Sequence, residues 1–202
     1  MIDRDTSSNP SPPQAAPLQR FGALLRQYRQ QRGLSQRALG ALMGIRYSYI
    51  SEIELGKRNI SVLTLLHMTQ VLGIPAAWIF TPLDPRAPRA YPVGGVPIPY
   101  AEVREAGVTQ EDRPPPRPDD QAPLLVLLGA AIRQARGQQR LSQPALAART
   151  GLNATYLGQI EQGQRNLSVL SLVRIAEALE HSVASLLAPI ETAARPSAPR
   201  TP

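Results

Sequence analysis

Residues 34–61 read LSQRALGALMGIRYSYISEIELGKRNIS, and residues 141–168 read LSQPALAARTGLNATYLGQIEQGQRNLS. The match extends without a gap, at a constant offset of 107 residues, from residues 18–80 onto residues 125–187. About 26 of the 63 aligned residues are identical. The chain therefore contains two copies of one unit, which we call copy 1 and copy 2.

Each copy is predicted to be a series of five short helices. Leu18, Phe21, Leu25 and Tyr28 share one helical face, as their spacing requires. In copy 1 the later helices are bounded by serine N-caps and by glycines at helix ends; these residues are Ser35, Gly44, Gly56 and Ser61, matched in copy 2 by Ser142, Gly151, Gly163 and Ser168. Short fifth segments follow at 76–80 and 183–187. No long stretch alternates polar and apolar residues, so the predicted fold class is all-α.

The segments outside the copies are rich in proline, which accounts for 21 of the 202 residues. Such composition disfavours a packed core. We therefore predict two small five-helix domains, at residues 18–81 and 124–188. A Pro-rich linker at 82–123 joins them, and residues 1–17 and 189–202 form a disordered arm and a disordered tail.

Positive charge is concentrated in the copies. Copy 1 holds eight Lys or Arg against two acids, a net +6, and copy 2 holds six against three, a net +3. Residues 81–124 between them hold five against seven, a net −2. This distribution predicts a polyanionic partner.

Other functional classes find little support in the composition. There is no cysteine, and the two histidines do not align between the copies. No nucleophile–base pair or phosphate-cradling glycine loop is present, so we expect no enzyme, metal, cofactor or small-molecule ligand. The N-terminus does not resemble a secretion signal and no apolar run is long enough to span a membrane. A cytoplasmic protein without a membrane partner is expected.

The second and third helices of each copy are separated by about three residues centred on a glycine. Such a short connection makes the second helix support the third. The outward face of the third helix then carries mainly polar side chains suited to base edges in the major groove; the residues of this face are Arg46, Tyr47, Ser48 and Glu52 in copy 1, and Asn153, Ala154, Thr155 and Gln159 in copy 2. Double-stranded DNA is the predicted partner.

Both copies resemble the phage repressor-like (Xre) family of helix-turn-helix domains, which are five-helix DNA-binding units. The residues that carry the resemblance are Arg-x-x-Arg at 26–29, Leu-Ser-Gln at 34–36, Ala-Leu at 38–39, Gly-Ile at 44–45, Tyr-Ile-Ser at 49–51 and Ile-Glu-x-Gly at 53–56. Residues 56–61 are also similar to controller proteins of restriction–modification systems, in a narrower match. The resemblance implies a sequence-specific transcriptional regulator.

The resemblance also implies roles for individual residues. DNA phosphates would be contacted from the start of the second helix and from the loop after the third; the residues are Gln36, Lys57, Arg58 and Asn59 in copy 1, and Gln143, Arg165 and Asn166 in copy 2. Arg29 with Glu54, and Arg136 with Glu161, match structural ion pairs between the first helix and the end of the third.

Three alternatives stay open. Arg46 is either a poor N-cap or a DNA contact, whereas Asn153 suits the cap. Copy 2 has Gly158 and Gln164 where copy 1 has Ser51 and Lys57, so it is either a weaker DNA reader or a protein-interaction or antitoxin-like module. The apolar residues 78–80 either close the core of copy 1 or form a homodimer contact.

The length of the linker gives a first mechanism. A coil of about 41 residues spans on the order of 35 Å, and half-sites one helical turn apart are separated by about 34–36 Å. The two copies would then bind adjacent, unlike half-sites as a tethered pair.

Overall fold

The computed structural model describes residues 12–80 and 118–194. These residues form ten helices, five in each copy, and their regular structure is otherwise limited to one isolated antiparallel bridge between Ser61 and Ser168. The bounds are α1 Pro12–Gln31, α2 Gln36–Met43, α3 Tyr47–Glu54, α4 Val62–Leu72, α5 Ala76–Phe80, α6 Pro118–Gln138, α7 Gln143–Thr150, α8 Ala154–Glu161, α9 Val169–Ala178 and α10 Val183–Ala194. The predicted all-α class with two five-helix units is confirmed.

Serine hydroxyls cap four of these helices as predicted. Ser35 and Ser142 accept hydrogen bonds from the backbone N–H groups of Ala38 and Ala145. Ser61 and Ser168 cap α4 and α9 in the same way. At the other end of α2 and α7, Gly44 and Gly151 adopt left-handed conformations with φ of 67° and 68°. A side chain would strain this conformation, so glycine marks the helix end.

One apolar core runs through both copies. The face of α1 predicted from its spacing is buried, and so is the corresponding face of α4, which includes Val62, Leu65, Met68, Thr69 and Leu72. Ile79 and Phe80 are almost fully buried, and the ring of Phe80 lies 6.2 Å from that of Phe21. In the described structure these two residues therefore close the core of copy 1.

Three predicted domain boundaries need correction. Helix α1 begins at Pro12, within the predicted arm, and α6 begins at Pro118, within the predicted linker. Both prolines occupy the first helical position, where no N–H donor is needed. The boundaries predicted from proline content therefore place the start of both domains too late in the sequence. Helix α10 continues past Pro189 to Ala194, through six residues assigned to the tail. The rest of the arm, linker and tail, at 1–11, 81–117 and 195–202, lies outside the described residues.

The two copies pack directly against each other, through their fifth helices, α5 and α10, and through a short contact that we call the seam, formed by residues 59–63 and 166–170. The N–H of Val62 donates to the carbonyl of Leu167, and the N–H of Val169 donates to the carbonyl of Ile60, both at 2.9 Å. The two bonds are related by the 107-residue repeat, so the seam is nearly two-fold symmetric. This contact corrects the predicted mechanism of two copies held only by a coil.

Candidate nucleic-acid interface

Helices α3 and α8, the predicted reading helices, each present one apolar and one polar face. Ile50 and Ile53 of α3, and Leu157 and Ile160 of α8, are buried. The opposite faces contain the predicted base-reading residues, of which Arg46, Tyr47, Ser48, Asn153, Ala154 and Thr155 are exposed and Glu52 and Gln159 are half-buried. Burial of one face fixes the direction of the other, so both polar faces are available to a partner.

An ion pair, buried in copy 1 and largely buried in copy 2, anchors each predicted reading helix to the first helix of its copy. Arg29 bonds the two carboxylate oxygens of Glu54 at 2.5 and 2.9 Å and donates to the carbonyl of Leu34 at 2.6 Å. Copy 2 forms the same arrangement between Arg136, Glu161 and the carbonyl of Leu141. Both ion pairs expected from the sequence are therefore formed, and each also holds the turn before the second helix.

Charge and hydrogen bonding at this anchor shift the pKa values of Arg29, Arg136 and Glu161. The hydrogen bonds that Arg29 and Arg136 donate to Glu54 and Glu161 raise the pKa of both arginines, against the effect of burial. Burial acts to raise the pKa of Glu161, but hydrogen bonds from Arg136 and Gln143, together with the nearby positive charges, lower it below its usual value. The Arg136–Glu161 pair therefore stays ionised at neutral pH.

Gln36 and Gln143, predicted to contact phosphates, complete the anchor. The amide nitrogen of each donates to the second oxygen of Glu54 or Glu161 at 2.8 Å. Each amide nitrogen has two hydrogens. The orientation of each glutamine at the start of the supporting helix is therefore fixed from inside the protein, and one amide hydrogen remains for an external acceptor.

The two reading helices begin differently. Asn153 caps α8, and its side-chain oxygen accepts from the N–H groups of Thr155 and Tyr156 at 2.8 and 3.4 Å. Arg46 occupies the equivalent position before α3 and makes no side-chain cap. The predicted contrast in capping is confirmed, and the Arg46 side chain is exposed on the reading face.

The loop after each reading helix divides into two parts. Lys57 is exposed, whereas Arg58 lies against Glu52 of the reading face and Arg165 lies against Gln159. Asn59 belongs to the seam: its amide donates to the hydroxyl of Ser168, and its oxygen accepts from the N–H of Leu170.

Asn166 forms the reciprocal seam contact, accepting from the N–H of Leu63 at 3.5 Å. These bonds revise the roles predicted for Asn59 and Asn166. Their amides bond across the contact between the copies, so we do not include them among the proposed phosphate contacts.

Sequence reasoning missed one pair on the reading face of copy 1. The guanidinium of Arg37 lies 5.3 Å from the centre of the Tyr47 ring, which is 52% exposed. At the equivalent positions copy 2 has Pro144 and Ala154. Because both members of the pair change together between the copies, the repeat alignment held the signal that they interact.

Other kinds of site find no support in the described residues. Within residues 12–80 and 118–194 no group of three or more His, Asp or Glu side chains is arranged to hold a metal ion. No helix in these ranges is long and apolar enough to cross a membrane.

Comparison with known proteins gives one family for both copies. The sequence model of the helix-turn-helix family HTH_3 matches residues 25–79 and 132–184, which together are more than half of the chain. Control protein C.SmaI from Serratia marcescens is 39% identical over 61 residues, which are 30% of this chain and 73% of that protein. The uncharacterised HTH-type transcriptional regulator y4dJ from Sinorhizobium fredii is 35% identical over 63 residues, 31% of this chain and 82% of that protein.

One much longer protein and two solved structures also match part of this chain. The HTH-type transcriptional regulator RamB from Mycobacterium tuberculosis is 38% identical over 65 residues, 32% of this chain but only 14% of RamB. The restriction–modification controller protein C.AhdI from Aeromonas hydrophila is 39% identical, with 31% of this chain and 94% of that chain covered and a TM-score of 0.30. An HTH_3 family transcriptional regulator from Vibrio cholerae is 27% identical, with 36% and 41% covered and a TM-score of 0.34.

Proposed function

The chain belongs to the helix-turn-helix family HTH_3, and we propose that it is a sequence-specific regulator that reads double-stranded DNA with two unlike helices fixed in one body. Transcriptional regulators occur among its relatives. In this proposal α3 and α8 enter successive major grooves. Their exposed residues contact base edges, and Lys57, Arg58, Arg165, Gln36 and Gln143 contact phosphates.

The observation that carries the proposal is the reciprocal seam. Its two backbone hydrogen bonds are equivalent under the repeat, and so are the bonds of Asn59 and Asn166 to the N–H groups of Leu170 and Leu63. A two-fold contact of this kind is how two separate subunits usually associate. Here one chain supplies both halves, so the relative position of the two reading helices does not depend on the linker.

The two reading faces differ, so the proposed target is a composite site and not a palindrome. Copy 1 presents Arg46 and Tyr47 where copy 2 presents Asn153 and Ala154. Copy 1 also has the higher net charge and the exposed Lys57, replaced by Gln164 in copy 2. We therefore propose that copy 1 contributes most of the binding free energy and copy 2 extends the site.

One observation favours a second candidate role for copy 2, that of a module with little DNA reading. Gly158 lies inside α8, and an added Cβ would meet no atom closer than 3.6 Å. Packing therefore does not require this glycine, although it weakens the helix by about 0.5–1 kcal/mol relative to alanine. Under this alternative only copy 1 would select a DNA sequence.

The test is selection of bound duplexes from a randomised library by the full-length protein at several salt concentrations. We expect a two-part asymmetric motif, with affinity that falls steeply as salt rises. The double variant Arg46→Ala/Ser48→Ala should erase one part of the motif and Thr155→Ala/Gln159→Ala the other, whereas the exposed α1 variant Gln27→Ala should keep both.

The remaining outcomes separate the candidates. A single half-site that responds only to the copy 1 variant would favour the module role for copy 2. Absence of any enriched motif would refute the proposed sequence-specific regulator.

A further inference from the structure

An arginine holds the side chain of a polar reading residue in both copies. The Nε and Nη2 atoms of Arg58 each lie 2.6 Å from Oε2 of Glu52. In copy 2 the Nε of Arg165 donates to Oε1 of Gln159 at 3.0 Å. The two pairs occupy equivalent positions of the repeat. The contact is thus kept although a carboxylate in one copy is replaced by an amide in the other.

The chemistry of the guanidinium determines which atom of each reading residue turns outward. Arginine carries only donors, so an oxygen must face it. In Glu52 the guanidinium of Arg58 bonds to Oε2, and among the described contacts Oε1 remains available as an acceptor. In Gln159 the single oxygen faces Arg165, which directs the amide nitrogen, a donor, away from it. The two reading faces therefore offer groups of opposite polarity.

The arginine of copy 1 is itself restrained. Its guanidinium lies 4.8 Å from the centre of the Tyr49 ring, so a cation–π contact restrains Arg58 in addition to its bonds with Glu52. The side chain of Arg58 is 30% exposed and that of Glu52 is 43% exposed, so the pair is accessible without being fully solvated. Glu52 is consequently oriented before DNA arrives.

We propose that Arg58 and Arg165 are positioning residues that determine which kind of base edge Glu52 and Gln159 read. Glu52 would accept from the amino group of cytosine, because the amino group of adenine lies next to the N7 acceptor, which repels a carboxylate. Gln159 would donate to the acceptors of guanine or thymine. When a glutamine recognises adenine through two hydrogen bonds, it uses its side-chain oxygen and nitrogen together. In Gln159 the oxygen is already bonded to Arg165, so this mode of adenine recognition is blocked.

This inference rests on the proposed function and goes beyond it, because the resemblance gave both arginines only a phosphate-binding role. A phosphate contact and a positioning role predict different effects. Loss of a phosphate contact weakens binding to all sequences alike, whereas loss of a positioning residue changes the preferred base. Lys57, which is exposed and adjacent to Arg58, provides a control with the same change in charge.

The experiment uses the full-length protein and the randomised duplex library, with Glu52→Gln, Arg58→Ala and Lys57→Ala compared with wild type. Wild type should prefer cytosine over other bases by about tenfold at one position of the copy 1 half-site. With Glu52→Gln the preference should change to guanine or thymine at that position alone, since Arg58 then holds the amide oxygen. Arg58→Ala should reduce the discrimination to about twofold or less, while Lys57→Ala should lower affinity for every sequence and leave the motif unchanged.

The reciprocal variant Gln159→Glu provides a second test, should a copy 1 variant unfold. It should change the copy 2 preference from an acceptor edge to cytosine. If wild type enriches a motif but Arg58→Ala behaves as Lys57→Ala does, or Glu52→Gln and Gln159→Glu keep the wild-type bases, the inference is wrong and the proposed function stands. If wild type enriches no motif, both are refuted.

Discussion

Comparison of equivalent residues in the two copies shows which side chains the fold requires. Gly22 of α1 and Gly129 of α6 are equivalent, and a Cβ at either would lie 2.3 or 2.4 Å from the backbone carbonyl oxygen of Ile53 or Ile160. The requirement for glycine here comes from the close approach of the first helix to the reading helix. Gly40 of copy 1 is replaced by Ala147 in copy 2, so copy 2 accommodates a methyl group at this position. In copy 1 a Cβ at Gly40 would lie 2.7 Å from the carbonyl oxygen of Ile45, so the backbone there would have to shift.

Gly22→Ala is therefore expected to lower the free energy of unfolding, by about 1–3 kcal/mol, because the obstructing atoms belong to the backbone. Gly40→Ala is the matched control and should cost less, since Ala147 shows that this site can adjust and alanine favours the helix. Urea denaturation of both variants measures the difference. Equal losses would contradict the assigned close contact.

The start of each reading helix gives a second prediction. Asn153→Ala removes the cap of α8 and should destabilise the protein by about 1 kcal/mol. Arg46→Asn supplies the missing cap of α3 and should stabilise it by a similar amount, while weakening DNA binding because Arg46 is proposed to contact DNA. Denaturation and DNA titration of the same samples test both effects. Unchanged DNA affinity in Arg46→Asn would remove Arg46 from the reading face.

At the scale of helices, buried polar contacts and packing determine positions that local sequence does not. The pair of Arg136 and Glu161 joins α6 to the end of α8, and Glu161 is almost fully buried. Helix α10 illustrates packing. It continues through Pro189 because Ile190 is buried and Glu191 accepts from the N–H of Ala77 at the start of α5. Burial of the apolar side chain offsets the unfavourable proline.

The lowered pKa of Glu161 predicts a specific loss of stability in acid. The pKa is lower in the folded protein than the ordinary value of 4.5, so the stabilisation is complete above about that pH and is lost as pH falls through the folded-state pKa. The Glu161→Gln variant should be less stable than wild type at neutral pH. As the pH falls below about 4.5, it should lose less stability than wild type does. Thermal unfolding across pH measures this, with the exposed Glu177→Gln as the control that should follow wild type. A parallel curve for Glu161→Gln would contradict the ion-pair assignment.

The end of α10 should contribute substantially to stability. Ile190→Ala is expected to lower the free energy of unfolding by about 2–4 kcal/mol, since the side chain is almost fully buried in the apolar core. Pro189→Ala changes the neighbouring exposed residue and should leave stability equal or higher, because it restores a helical N–H donor. Urea denaturation compares the two. No loss in Ile190→Ala would show that α10 ends earlier than Ala194.

At the scale of the whole molecule, the seam converts a tandem repeat into a nearly two-fold body. Its hydrogen bonds involve the backbone of residues 60–63 and 167–170 and the amides of Asn59 and Asn166. Two reading helices fixed in this way should require one spacing between half-sites, whereas two domains on a flexible tether would accept several.

This difference gives a prediction at the same scale. Wild type should bind composite duplexes strongly at one half-site spacing and at least tenfold more weakly when one or two base pairs are inserted. Asn59→Ala/Asn166→Ala, which removes the side-chain bonds of the seam, should bind the best site less tightly and tolerate the insertions better. Titration of duplexes with graded spacing measures both quantities. Equal wild-type affinity at all spacings would restore the tethered mechanism.

The sequence by itself determined the repeat, the helical class, the serine caps, the glycine helix ends and the direction of the reading faces. These features depend on contacts within a few residues or on helical periodicity, which local sequence records. The two buried ion pairs were also found, through a family pattern.

Only the tertiary structure decided that the copies share a seam, that Asn59 and Asn166 bond within it, that Arg58 and Arg165 hold Glu52 and Gln159, and that α10 continues past Pro189. Each of these depends on atoms brought together from distant parts of the chain. The free energy of such contacts comes from burial and from pairing of polar groups across the fold, and no periodicity in the sequence reports it.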